Sequence, residues 1–357
     1  MRLRSLFIPL VIAIAHVAAA QSPPDSSRRD STQAARARRD STAVPDSEPP
    51  RRVPPVDVLL PSRRTLKDSV QLARTIRAGL AHRGWPVRTP PPLPGSILPA
   101  KRIVAFYGTP LSKRMGVLGQ YPRDHMLAKL DSVVAEWNAA DSLTPVQPAL
   151  HFIAVVAQAA PGKDGKYRLR MDSALIETVY GWARERGAIL FLDIQAGHST
   201  IVDELPRLAK FLERPDVHLG VDPEFNMRYL PDSVAPGKQI GFVRASEINE
   251  TIAFLSKLAT EKKLPPKVFV IHRFRAPMVR NASEIQLDPR VQIVMHMDGW
   301  GVPSVKFDSY RSYIVSEPVQ FAGFKLFYRH DTQKGDKLLT PAELLQLRPV
   351  PVYIQYQ

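Results

Sequence analysis

The sequence predicts an α/β fold, a (β/α)8 TIM-type barrel preceded by a signal peptide and a disordered tether. Three observations predict it. After Lys101, short β-rich apolar runs recur with amphipathic segments of helical spacing between most of them, a rhythm that argues for a parallel sheet with helices outside. Eight such runs suit closure into one barrel, which needs about 250 residues. Polar and ionisable residues gather at the C-terminal ends of run after run, where a barrel of this kind carries its chemistry.

The segments before the barrel read differently. Residues 1–20 have Arg2 and Arg4, an apolar run from Leu6 to Val17 and then Ala18, Ala19 and Ala20. This is the layout of a secretory signal cleaved after Ala20, with an apolar run too short to remain as a bilayer span. Residues 21–62 are rich in Pro, Ser, Asp and Arg, with scarcely a large apolar group. Such a tether cannot bury enough surface to offset chain entropy. Residues 63–100 hold an amphipathic helix, with Leu66, Val70, Ala73, Ile76 and Leu80 on one face and Gly84 as a stop, and then a stiff Pro-rich linker, "RTPPPLPGSILPAK". The barrel domain takes residues 101–357.

Composition narrows the chemistry. The 357 residues carry a formal net charge of +15, with the arginines crowded into the tether. The tether is expected to be a solvated spacer, with contact to an anionic envelope through its arginines as the alternative, and basic patches with interleaved aromatics suited to nucleic acid are missing. The absence of cysteine excludes disulfides, a thiolate nucleophile and Cys-based metal sites. No Gly-rich phosphate loop, HxH or HExxH occurs, so neither cofactor nor metal is expected. The protein is expected to be secreted or periplasmic, and not membrane-spanning once the signal is removed.

The eight runs are "RIVAFYG", "ALHFIAVVA", "AILFLDIQ", "VHLGVD", "QIGFV", "KVFVIHRF", "VQIVMHMD" and "FAGFKLFY". "QIGFV" is the weak member, because residues 223–238 before it form no convincing helix; if it is a loop, the barrel is distorted around strand 5. "GDKLLTPAELLQLRPVPVYIQYQ" closes the chain as a Thr340-capped helix and a strand-like structural plug.

Residues two apart on a strand share a face, and in a barrel one row fills the interior and emerges at the C-terminal rim. The first run ends in Tyr107. The third carries Asp193 and Gln195 on one row, and the fourth carries Gly220, Asp222 and Glu224 on one row. The sixth ends in His272, the seventh has His296 and Asp298, and the eighth offers Lys325 or Tyr328 depending on register. A carboxylate just past a strand is also often a helix cap or half of a salt bridge, for which Arg244, Arg273 and Arg275 are candidates. Several like charges converging on one rim is the harder pattern to explain without a use for them.

This arrangement resembles the barrel glycoside hydrolases, and Asp222-Pro223-Glu224 resembles the Asp-x-Glu that ends the fourth strand of chitinase-like barrels. The resemblance implies that Glu224 protonates a leaving oxygen and Asp222 orients the substrate. Asp298 would be the second carboxylate, which many such enzymes carry at the seventh strand. The sequence departs from the chitinase pattern in having His218 and Gly220 where further Asp residues stand. "LFLDIQ", "DPEFNM" and "MDGWG" also resemble exported bacterial proteins, a likeness that brings no activity with it.

The expected function is therefore cleavage of glycosidic bonds in an envelope or environmental polysaccharide. Glu224, Asp298 and Asp222 are its catalytic candidates. Asp193, Gln195, Tyr107, His272, His296 and Trp300 are expected to bind the carbohydrate polymer or oligosaccharide. Phe225, Tyr229 and Trp300 are aromatic rings on rim loops, suited to a sugar face or to ordinary packing. A metal-dependent hydrolase of phosphodiesters or acetyl groups is the rival reading, with Asp193, Asp222, Glu224, His272, His296 and Asp298 as its shell. A non-catalytic carbohydrate- or wall-binding barrel is the third.

Overall fold

A computed structural model describes residues 66–82, 84–333 and 335–357. The expected signal peptide at 1–20 and tether at 21–62 lie outside them. The helix expected on the amphipathic segment is α1, Leu66–His82. Among the described residues no helix is long and apolar enough to cross a membrane.

Eight parallel strands form the barrel: β1 Arg102–Gly108, β2 Val146–Ala157, β3 Ile189–Ile194, β4 Val217–Val221, β5 Lys267–Arg273, β6 Val291–Met297, β7 Phe321–Leu326 and β8 Tyr353–Tyr356. Each pairs with the next in sequence, and β1 pairs with both β2 and β8, which closes the ring. The short strand at Arg168–Arg170 pairs antiparallel with the end of β2.

Strand 5 is where the sequence reading needs correcting. Of the expected fifth run only Val243 lies in a strand; it and the following Arg244 pair with Val279 and Arg280 outside the barrel. "KVFVIHR" is the true fifth strand, and every later run moves up one place. The vacancy is filled by "YIQY", which was expected as a plug. It lies between β7 and β1, with Ile354 in register with both Phe324 and Val104. A four-residue run after a proline-rich segment has too little length to announce itself as a strand, yet its Tyr-Ile-Gln-Tyr alternation fits one.

The helices follow from apolar spacing and local caps: α2 Val117–Gln120, α3 Arg123–Ala140, α4 Ser173–Arg184, α5 Ile201–Leu212, α6 Ala245–Glu261, α7 Pro303–Tyr310 and α8 Pro341–Leu344. Asp172 and Thr200 accept the N–H of the third residue of α4 and α5, and Thr340 does so for α8 in a reciprocal pair with Glu343. The β4 to β5 connection contains α6. The β5 to β6 connection has short 3-10 turns instead of a helix, so the irregularity expected near strand 5 falls on its far side.

Alternation along the strands divides the core in two. Phe106, Leu150, Leu192, Leu219, Phe269, Ile293 and Phe324 point outward and pack with the helices. Ile103, Ala105, Ala149, Ile189, Phe191, Val268, Val270 and Val294 fill the lower interior. Leu98 belongs to that inner cluster and is fully buried. It comes from the segment expected as a stiff linker, which instead docks on the barrel floor. The Gln292 side chain accepts from the backbone N–H of Ile97 and Leu98, each at 3.1 Å, and donates to Leu98 O at 2.5 Å. Buried backbone groups outside a ladder need such a partner.

Closure through the last residues has a measurable consequence. Ending the chain after Pro351 leaves β1 and β7 as unpaired edges, and the shortened protein is expected to lose its cooperative unfolding transition by circular dichroism. Melting like the full chain would make Tyr353–Tyr356 dispensable.

Candidate functional site

Above the apolar floor the inward row turns polar on nearly every strand. Tyr107 comes from β1, His151 from β2, Asp193 from β3, His272 from β5, His296 from β6, Lys325 from β7 and Gln355 from β8, all buried. The register brings them to one level: Tyr107 lies beside His151, Asp193 beside Gly220, His272 beside His296, and Lys325 beside Gln355. The choice between Lys325 and Tyr328 is thereby settled for Lys325.

Two strands place a glycine on the inward row beside these side chains, and the space matters. A Cβ on Gly220 of β4 would overlap His151 Nε2 and Asp193 Oδ1, and one on Gly323 of β7 would press on His296 Nδ1 at 2.6 Å. Only glycine lets these imidazoles and the carboxylate occupy the interior.

Two carboxylates anchor the cluster. Asp193 accepts from the Tyr107 hydroxyl at 3.0 Å through Oδ2, while its Oδ1 stands 3.2 Å from His151 Nε2 and 3.7 Å from His272 Nε2. Asp298 meets His272 Nδ1 at 2.8 Å and Lys325 Nζ at 2.9 Å. Burial alone would push both carboxyls up; His272, His151 and Tyr107 reverse this for Asp193, and Lys325 and His272 do so more strongly for Asp298. Both are held ionised. Burial pushes the His151 imidazole down to about 4 and the His296 imidazole well below its ordinary value, so both are neutral.

Lys325 also lies over the Tyr107 ring, 4.1 Å from its centre. Behind it, the buried Lys306 of α7 donates to Gly299 O and Lys325 O at 2.8 Å each and meets Asp331 at 2.8 Å. Burial brings the Lys306 amine down to about 8. This lysine ties the exit of β6 to the end of β7 and so fixes Asp298 against Lys325.

Asp222 and Glu224 behave oppositely. Asp222 ends β4 on the inward row, with Oδ1 accepting the Glu224 N–H at 3.2 Å and Oδ2 near Gln195 Nε2 at 3.5 Å. It is thus the cap of the 3-10 turn Pro223–Phe225 as well as a rim carboxyl. Burial, then the charges of Asp298 and Asp193, raise the Asp222 carboxyl well above the usual range. Glu224 sits on the turn itself, half-buried at the mouth. Burial, then Asp222 and Asp298, push it up to about 8. The rim thus holds one carboxyl protonated and another ionised within electrostatic reach.

All the expected site residues on the strands meet at this end of the barrel. Gln195 lies 3.4 Å from the Tyr107 hydroxyl and accepts from Ala157 N at 3.1 Å. Trp300 is 42% exposed on the loop after β6, tilted against His330. Tyr229 is occupied structurally, stacked on Phe242 and donating to Glu247 at 2.9 Å. Two of the three arginines considered as partners for the acids are engaged elsewhere: Arg273 pairs with Glu317 at 2.7 Å, and Arg244 lies over Tyr229. Asp298 follows the sixth barrel strand, and the seventh carries Lys325. The fourth-and-seventh carboxylate spacing implied by the resemblance is therefore not present.

His151, Lys306, Tyr353 and Gln355 had no expected role. A histidine on the inward row of an otherwise apolar run marks His151, and the polar alternation of "YIQY" marks the last two. Lys306 on a short helix leaves no such signal.

No protein-family model matches the chain, and no curated protein matches its sequence. Among solved structures, the fold is distantly similar to a trimodular GH5_4 subfamily endoglucanase, with TM-score 0.41, 8% identity, and coverage of 73% of this chain and 56% of that one. It is similar to Thermotoga maritima Cel5A, solved in complex with cellobiose, with TM-score 0.36, 9% identity, and coverage of 71% and 88%. A ruminal GH26 endo-beta-1,4-mannanase gives TM-score 0.33, 13% identity, and coverage of 72% and 59%. The chain spans little more than half the length of the first of these, and no residue role passes across at such identities.

The packing at Gly220 is open to test. Replacing it with Ala puts a methyl group against two polar side chains, and overpacking of this kind costs about 1–3 kcal/mol. The Gly220→Ala variant is expected to show a lower urea midpoint at an unchanged slope.

Proposed function

We propose that the protein is an exported hydrolase that cleaves glycosidic bonds in an envelope or environmental polysaccharide by carboxylate acid/base catalysis. The observation that carries this reading is the opposite ionisation of two rim carboxyls, Glu224 raised to about 8 and Asp298 held ionised. Glycosidic cleavage asks for such a division. Glu224 supplies the proton to the leaving oxygen. Asp298, oriented by His272 and Lys325, stabilises positive charge developing on the sugar. Asp222, kept protonated, can donate as well as accept a hydrogen bond, and it orients the substrate. Trp300 offers an exposed ring on which a sugar face can stack. Tyr107, Asp193, Gln195, His272 and His296 lie deeper and hold the rim in place.

The test uses purified full-length protein on a panel of glycans. Glu224→Gln keeps the shape of the side chain and removes the transferable proton, so its turnover is expected to fall about 10²–10⁴-fold. Full turnover in that variant would remove Glu224 from the mechanism, and binding without turnover in the wild type would favour a carbohydrate-binding barrel.

The pH dependence carries a definite sign. A general acid works while protonated, so wild-type turnover is expected to fall as pH rises past about 8. The folded chain also holds the Glu224 proton more tightly than the unfolded chain does. This stabilisation is fully present below the ordinary value of 4.5 and is lost as pH rises to about 8. Denaturation midpoints across that range are expected to fall more steeply in wild type than in Glu224→Gln; parallel slopes would contradict it.

A further inference from the structure

We infer that the barrel interior is a binding site for a first-row divalent cation of the zinc type, held by His151 Nε2, Asp193 Oδ1 and His272 Nε2. These three donor atoms come from β2, β3 and β5 and lie within 4.8 Å of one another. Zinc bonds of about 2.0–2.2 Å in tetrahedral geometry place neighbouring donors roughly 3.3–3.6 Å apart. The two separations from Asp193 Oδ1, 3.2 Å to His151 and 3.7 Å to His272, bracket that span.

The three atoms are also among the buried side-chain atoms that make no conventional hydrogen bond. His151 Nε2, Asp193 Oδ1 and His272 Nε2 are all buried and meet no polar group but one another, although buried polar atoms are normally satisfied. Their far sides are engaged. His151 Nδ1 meets the Tyr353 hydroxyl at 2.5 Å, Asp193 Oδ2 accepts from Tyr107 at 3.0 Å, and His272 Nδ1 meets Asp298 Oδ2 at 2.8 Å. An imidazole that donates its Nδ1–H to a carboxylate presents a bare Nε2 lone pair, which is how histidines are oriented toward metals. For His272 that nitrogen stands 3.7 Å from Asp193 Oδ1, beyond hydrogen-bond reach, and a cation between them would bond to both.

The surroundings of the three atoms are shaped for them. Gly220 leaves open the space in front of His151 Nε2 and Asp193 Oδ1, where a Cβ would intrude. His296 is fully buried with neither ring nitrogen partnered, and its ring lies 5.0 Å from that of His272. The three ligands make an N2O set with an open fourth position, an arrangement zinc accepts. This differs from the shell expected from the sequence, since His151 enters, and Asp298 serves from behind His272. The inference stands apart from the glycosidic reading, because no step at Glu224 passes through the ion.

The test measures metal uptake. Full-length protein stripped with chelator is titrated with Zn2+ by calorimetry and with Co2+ by visible absorption, and its melting is followed with and without Zn2+. One equivalent is expected to bind, with ligand-field bands for Co2+ and a higher melting temperature with Zn2+, because binding to the folded state alone stabilises it. His151→Gln is expected to lose site binding. Tyr353→Phe, which keeps every ligand and removes a hydroxyl that supports His151 and accepts from Gln355, is expected to bind about 10–100-fold more weakly. Glu224→Gln is expected to take up the ion as wild type does, which separates failure of this site from failure of the proposed acid. Folded wild-type protein that takes up neither ion would overturn the inference. So would wild-type affinity in His151→Gln or, should that variant not fold, in Tyr353→Phe.

Discussion

An ionised carboxylate can lie inside a barrel only where positive charge or donated hydrogen bonds replace the water it has lost. Asp298 meets that condition through Lys325 and His272, and much of the upper interior is arranged around this contact. Lys325 is kept in place by the carbonyl it offers to Lys306. His272 passes the constraint on toward Asp193, which draws in Tyr107 and His151. The line from β7 through β6 and β5 to β3 and β2 is thus a continuous polar band on an apolar floor, and closing the barrel with β8 adds Tyr353 and Gln355 beneath His151.

The same contact divides the labour of the rim. With its charge balanced, Asp298 remains ionised. Asp222 and Glu224 have no comparable partner, so burial and the neighbouring negative charge favour their protonated forms. Three carboxyls of nearly equal intrinsic acidity are separated by surroundings alone. The reading of Glu224 as an acid and the reading of the deeper imidazoles as a metal shell draw on different parts of this band.

Much of the fold was legible because barrel strands are short apolar runs whose alternation survives in the sequence, and because Asp172, Thr200 and Thr340 announce helix starts. The inward row could be followed on β1, β3, β5 and β6 from period two alone, so Tyr107, Asp193, His272 and His296 were expected at one end of the barrel. "QIGFV" misled because apolar content cannot distinguish a barrel strand from a loop that pairs for two residues. "YIQY" was passed over because its strand character depends on two neighbours that bury it on both sides. That one exchange moved Asp298 from the seventh strand to the sixth.

By itself, the sequence determined the class of fold, the faces of most strands and the presence of several acids at one rim, since these depend on local periodicity and on the chirality of strand and helix. Only the tertiary structure decided which carboxyl is ionised, that Leu98 seals the floor, that the final strand closes the ring, and that His151 faces Asp193 and His272. Each of those depends on side chains that approach within a few ångströms from distant parts of the chain. Electrostatic and packing energies at such separations depend on the closed barrel, and no local pattern encodes them.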